Sequence, residues 1–154
     1  MKTLRKNFLF WMVIWLVLFI DQLTKTLVIQ SLEQKGSVSI FDPFLFFTLV
    51  KNKGAAFGML PNQQWLFLLT FFLLLVGVWV YRKTIIHSSK IVFYGYAFIV
   101  GGAMGNFMDR LRYGAVIDFI DFRVWPVFNV ADSFICVGVG MLTVCFLFYS
   151  KKAS

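Results

Sequence analysis

FLFWMVIWLVLFIDQLTKTLVI, Phe8 to Ile29, decides the class of this chain. Its length suits a bilayer-spanning helix, for which about 20 mostly apolar residues suffice. It nevertheless carries Asp21 and Lys25, and ionisable groups inside a span are costly and mark paired or functional positions. Three further apolar runs follow, Trp65 to Tyr81, Ile91 to Met108, and about Ala131 to Tyr149. Hydrocarbon offers no water to unpaired backbone groups, so only helices and closed barrels cross it. These runs are too long and continuous for barrel strands. An α-helical polytopic membrane protein with four transmembrane helices is expected, at about 8–29, 65–81, 91–108 and 131–149.

Composition agrees. The chain has 154 residues, 60% hydrophobic and 14% charged, with 20 Phe and 5 Trp. A soluble domain of this size could not cover so much apolar surface. One membrane-embedded domain spanning 1–154 is expected. The basic start of the first run looks like a signal peptide. It ends in DQLTKT, however, without a small-x-small cleavage site, so a retained helix is expected.

Charge sets the orientation. Lys2, Arg5 and Lys6, then Arg82, Lys83 and Lys90, then Lys151 and Lys152 lie in three segments without an acidic residue. The other seven Lys and Arg balance all seven Asp and Glu, so the net charge of +8 falls on one side. The positive-inside rule makes that side cytoplasmic, both termini included. This accounts for the basic pI without nucleic acid, and anionic lipid is a further partner for the charge.

The outward connections hold the remaining chemistry. The first, Gln30 to Gln64, contains VSIFDPFLFFTLVKNKGAAFGML. Its β-prone residues and Gly-rich turn predict a small extracytoplasmic sheet or hairpin at about 38–60. The second, Asp109 to Val130, holds three Asp and three Arg. No internal repeat or flexible linker is visible.

Asp21 and Lys25 stand four apart, acid before base, the favourable order for a helical ion pair. They read as a salt bridge near the outer interface with Lys25 snorkelling, or as part of a polar site. Gly101 and Gly105 form a GxxxG pair suited to close helix packing, which does not explain Asn106, Asp109 and Arg110 beside it. Cys136 and Cys145 share one expected helix, too far apart for a disulfide, and read as buried structural thiols. His87 is alone in the cytoplasmic loop, and no ligand set for zinc exists. A Ser/Lys dyad through Ser133 or Thr24 with Lys25 has nothing to mark its hydroxyl.

Asp118 follows the third helix and Asp132 opens the fourth, so a turn-back could set them face to face. Two carboxylates sharing a site hold one proton between them, giving one base and one acid. An alternative role for Asp132 is helix N-capping. Asp118 and Asp121 form a DxxD spacing that could bind Mg²⁺ in a membrane phosphotransferase. A transporter or assembly subunit is disfavoured by the lack of broken-helix repeats.

Five motifs, DQLTK (Asp21 to Lys25), NKGAAFG (Asn52 to Gly58), GGAMGNFMDR (Gly101 to Arg110), VIDF (Val116 to Phe119) and FNVAD (Phe128 to Asp132), occur in this order in lipoprotein signal peptidase. The chain resembles that family, the bacterial signal peptidase II aspartyl proteases, from first helix to fourth. The resemblance implies catalysis by Asp118 and Asp132. It implies substrate-binding or supporting positions at Asn52, Gly102, Asn106, Arg110 and Asn129, a first-helix pair of Asp21 and Lys25, and a structural role for Asp109. It further implies a β-cradle with a surface helix in the first outward connection. The substrate would be a prolipoprotein, cleaved before its diacylglyceryl-modified cysteine. The site would lie near the outer leaflet of the cytoplasmic (inner) membrane, in a monomer with no metal or cofactor. The Asp118–Asp132 interval is shorter than in many relatives.

Overall fold

A computed structural model describes residues 2–54 and 63–150. Helix α1 (Lys2–Leu32) buries Phe10, Ile14, Val17, Asp21, Lys25, Val28 and Leu32 along one stripe. Their steps of three and four define a single helix face, so the charged pair lies on the stripe turned towards the protein. After Leu32 the chain forms a hairpin, β1 (Ser37–Phe41) and β2 (Leu45–Asn52). Helices α2 (Gln64–His87) and α3 (Lys90–Tyr113) follow, then β3 (Val116–Asp121) and α4 (Val130–Ser150). All four helices are long and apolar enough to cross a membrane.

The helices outrun the apolar runs that announce them. Arg82 and Lys83 belong to the last turns of α2, not to a loop, and Asp109 and Arg110 belong to α3. Long basic side chains reach polar surroundings from within a helix, so a change of composition precedes the end of the hydrogen-bond ladder. The second connection also contributes a strand. β3 pairs antiparallel with β2, giving a three-stranded sheet in the order β1-β2-β3. Of the expected β-rich segment, 55–60 lies outside the described residues, as do the surface helix expected there and Lys151 and Lys152.

Helix α3 is the centre of the bundle, packing on α1, α2 and α4. Glycines permit this on two faces. A Cβ at Gly101 would meet Val17 at 2.8 Å, and one at Gly105 would strike the Asp21 carboxylate, so the GxxxG pair faces α1. A Cβ at Gly102 would lie 2.8 Å from Ile135 of α4. Gly114 ends α3 in the left-handed region, φ 64°, with its N–H on Arg110 O at 3.1 Å. This is the conformation that favours glycine at a helix C-terminus, and it turns the chain into β3.

The start of α1 meets the end of α2 through Thr3 and His87, and the start of α3 meets the end of α4 through Ser89 and Cys145. The helices therefore run up-down-up-down, with Arg5, Lys6, Arg82, Lys83 and Lys90 at one end. An apolar core of Phe10, Ile14, Val78, Ile85, Phe93 and Val100 fills that half. At the other end Val28, Leu32 and Phe119 join the sheet to α1. Between the two lies a polar layer. Cys136 is exposed and Cys145 half-buried, contrary to the buried thiols expected. On a lipid-facing helix an apolar residue need not be covered by protein.

Candidate active site

The polar layer is built around Lys25. Its Nζ lies 2.9 Å from Asp21 Oδ2 and 2.8 Å from Asp109 Oδ2, and it donates to Asn106 Oδ1 at 3.0 Å. An ammonium has three donors, and all three are used. Lys25 is 2% exposed, so it does not snorkel. The second carboxylate, 84 positions away in sequence, holds it inside.

Asp21 and Asp109 bind further groups. Asp21 Oδ1 accepts from Ala131 N at 2.9 Å, satisfying one of the free amides that begin α4. Asp109 Oδ2 accepts from Ile117 N at 3.1 Å, fixing the start of β3. Gln22 donates to Asp109 Oδ1 at 2.9 Å and to Gly105 O at 3.2 Å, and accepts from Arg112 at 3.0 Å. Gln22 was missed at the sequence level. The signal for it is that DQLTK sets four polar side chains, Gln22 and Thr24 beside Asp21 and Lys25, within an otherwise apolar run.

Lys25 also orients Asn106. A lysine only donates, so the oxygen of the Asn106 amide must face it. The Asn106 Nδ2 is then turned to Asp132 Oδ1, at 2.8 Å. Asn129 completes the connection, donating from Nδ2 to Asp118 Oδ1 at 2.6 Å and to Asn106 Oδ1 at 3.1 Å.

Asn129 also caps α4. Its Oδ1 accepts from Asp132 N at 2.9 Å, while Asp132 Oδ2 accepts from Asn129 N at 3.3 Å. This reciprocal pair is a capping box. Asp132 is thus the third helical residue rather than the cap, because Asn129 occupies the cap position. Capping uses Oδ2 of Asp132 and leaves Oδ1 to Asn106, so the cap and the polar layer are served together.

Asp118 reaches the site through sheet register. Val50 pairs with Asp118 and Asn52 with Val116, so Asn52 and Asp118 are diagonal neighbours on one face. Asn52 Nδ2 donates to Asp118 Oδ2 at 2.8 Å, and Asn52 Oδ1 accepts from Gly54 N at 2.9 Å. Burial pushes the Asp118 carboxyl up to about 6; the charge of Asp132 adds to the rise, against hydrogen bonds from Asn52 and Asn129 and the charge of Lys25.

Asp121 is separated from this group. Three positions along a strand reverse the face, and Asp121 is held by Thr48 at 2.8 Å and by Arg123. The DxxD pair therefore does not converge on one point. Arg110 lies over the Phe67 ring at 4.3 Å and donates to Gly54 O at 3.4 Å. It borders a cavity of about 250 Å³ between α2, α3 and α4, lined also by Asn106, Phe71 and Ile135. A Cβ at Gly102 would press on Ala131 and Ile135, so this glycine lets α4 approach α3. Every buried side-chain nitrogen and oxygen among the described residues has a partner.

A multi-pass membrane protein is thereby defined, with a carboxylate of β3 and a carboxylate of the first turn of α4 linked through Asn106 and Asn129. A family model described as signal peptidase (SPase) II matches residues 13–148. The chain belongs to the signal peptidase II family and is a peptidase. A lipoprotein signal peptidase of Pelotomaculum thermopropionicum is 42% identical over 96% of each chain. Another, from Halothermothrix orenii, is 37% identical over 92% of this chain and 97% of the relative. A solved bacterial membrane enzyme superposes with a TM-score of 0.84 at 27% identity, covering 94% of this chain and 91% of the other.

Proposed function

We propose that Asp118 and Asp132 are the catalytic pair of a prolipoprotein signal peptidase that cleaves before a diacylglyceryl-modified cysteine. The observation that carries this is Asn129, whose buried amide donates to the Asp118 carboxylate and whose backbone N–H donates to the Asp132 carboxylate. Counting Asp21, Asp109, Asp118 and Asp132 against Lys25 and Arg110, the buried layer has four acids and two bases. Excess negative charge out of water favours retention of a proton, and Asp118, with its raised pKa, is the group suited to hold it. Asp132, in the first turn of α4, accepts from Asn106 Nδ2 and from Asn129 N, and is the partner left to serve as base.

The reaction follows from that division. Asp132 takes a proton from water as the water oxygen attacks the scissile carbonyl carbon. Asp118 gives its proton to the carbonyl oxygen, forming a neutral tetrahedral diol. Asp132 then passes its proton to the leaving amine nitrogen while Asp118 recovers one from the diol. The C–N bond breaks, a carboxylic acid and an amine leave, and the pair returns to its starting protonation. Asn52, Asn106 and Asn129 hold the two carboxylates without donating a proton.

Arg110 and the backbone near Gly54 border the route by which an extended peptide would reach the pair. The gap between α2 and α4 beside Phe67, Phe71 and Ile135 offers acyl chains lateral access. Positive charge at the far end makes that end cytoplasmic, which sets the pair near the outer leaflet of the cytoplasmic membrane. The test is a gel-shift assay on a lipidated prolipoprotein with chelator present. Cleavage of the lipidated form alone is expected; a requirement for Mg²⁺ would favour metal chemistry instead.

A further inference from the structure

A second cavity lies away from the polar layer, at the basic end. It occupies about 690 Å³ between α1 and α2, walled by Phe10, Ile14, Val76 and Trp79 and floored by Val100. Arg82, Lys83 and His87 form its rim with Thr3 and Asn7. Arg82 and Lys83 are exposed, and among the described residues neither joins an ion pair. All seven Asp and Glu lie at position 21, 33, 42 or between 109 and 132, in the polar layer or at the sheet-bearing end. The rim is therefore uncompensated positive charge above an apolar cleft.

Such a cleft does not stay empty in a bilayer. A void forfeits dispersion contacts along its walls, and water finds no partners among apolar side chains. A lipid acyl chain fits the walls, and the rim selects its headgroup. Basic pockets between transmembrane helices attract anionic headgroups, whereas a choline headgroup adds its own cation to the rim. A basic peptide segment is repelled there. We propose that this cleft binds one anionic glycerophospholipid, with an acyl chain between α1 and α2 and its phosphate at Arg82 and Lys83. The lipid joins two helices that otherwise meet chiefly through α3.

The experiment is native mass spectrometry of the full chain with phosphatidylglycerol and phosphatidylcholine of matched acyl chains. Wild type is expected to favour phosphatidylglycerol by roughly ten- to thirtyfold, as two basic groups near a membrane surface allow. The double variant Arg82→Gln/Lys83→Gln should lose that preference. Lys35→Gln/Lys51→Gln, with the same change in net charge at exposed positions of the opposite end, should keep it. Phosphatidylglycerol should raise the melting temperature of wild type and of the Lys35/Lys51 variant only. Equal retention of both lipids, equal loss in the two variants, or displacement by inorganic phosphate would overturn the proposal.

Discussion

Asn129 donates to the Asp118 carboxylate at 2.6 Å while its amide oxygen accepts from the backbone N–H of Asp132 at 2.9 Å, so one side chain ties Asp118 to the helix start that carries Asp132. Its two functions are separable. Asn129→Ser keeps an N-cap acceptor, and Ser caps nearly as well as Asn, but it removes the donor to Asp118. The variant should accumulate like wild type and cleave roughly three- to tenfold more slowly, the scale of one lost hydrogen bond of about 0.5–1.5 kcal/mol. Asn129→Ala should also lose roughly 1 kcal/mol of stability with the cap. Equal activity of Asn129→Ser and wild type would remove the bridge from the mechanism.

Lys25 faces two buried carboxylates, so its loss should exceed that of either acid. Lys25→Met leaves Asp21 and Asp109 together without a cation and should cost roughly 3–5 kcal/mol. The triple variant Asp21→Asn/Lys25→Met/Asp109→Asn should recover part of that in detergent melting curves. If the triple variant accumulates normally and still fails to cleave, Lys25 also serves the site through Asn106.

Asp118 makes stability depend on pH in a definite direction. Its folded pKa of about 6 exceeds the ordinary 3.8, so the folded chain holds this proton more tightly than the unfolded one. The resulting stability is full below the unfolded value and is lost as pH rises through the folded value. Between about pH 4 and pH 7 wild type should lose on the order of 2 kcal/mol relative to Asp118→Asn. Parallel melting curves for the two proteins would contradict a raised pKa.

Membrane orientation can be tested by reporter fusions. Fusions after Lys83 and Lys152 should report cytoplasm, and fusions near Lys53 and Arg123 the outside. A cytoplasmic signal at Lys53 would put the carboxylates on the wrong face.

The residues that could be read in advance are those whose surroundings contradict them. Asp21 and Lys25 interrupt an apolar run, and Gly101 and Gly105 carry a packing spacing that the structure sets against Val17 and Asp21. β3 was hidden because VIDFID places Asp118 and Asp121 on opposite faces, each buried with its own partner. A strand polar on both faces has no period-two pattern to detect. Sequence alone left open whether Lys25 snorkels or is buried, because the two differ only by Asp109, and no local spacing joins positions 25 and 109. Asn129 was expected as a support, but its double role depends on a cap and a strand meeting in space.

Cleavage of a lipidated prolipoprotein by Asp118→Asn, Asp132→Asn and Asp121→Asn is the most direct measurement. The first two substitutions keep side-chain shape and remove proton transfer. Each should abolish cleavage while the protein still inserts and accumulates, and the double variant should be hardly worse, since groups acting as one unit are not additive. Asp121→Asn, buried like Asp118 but held by Thr48 and Arg123, should retain substantial activity. Cleavage by Asp132→Asn together with an inactive Asp121→Asn would contradict the pairing of Asp118 with Asp132.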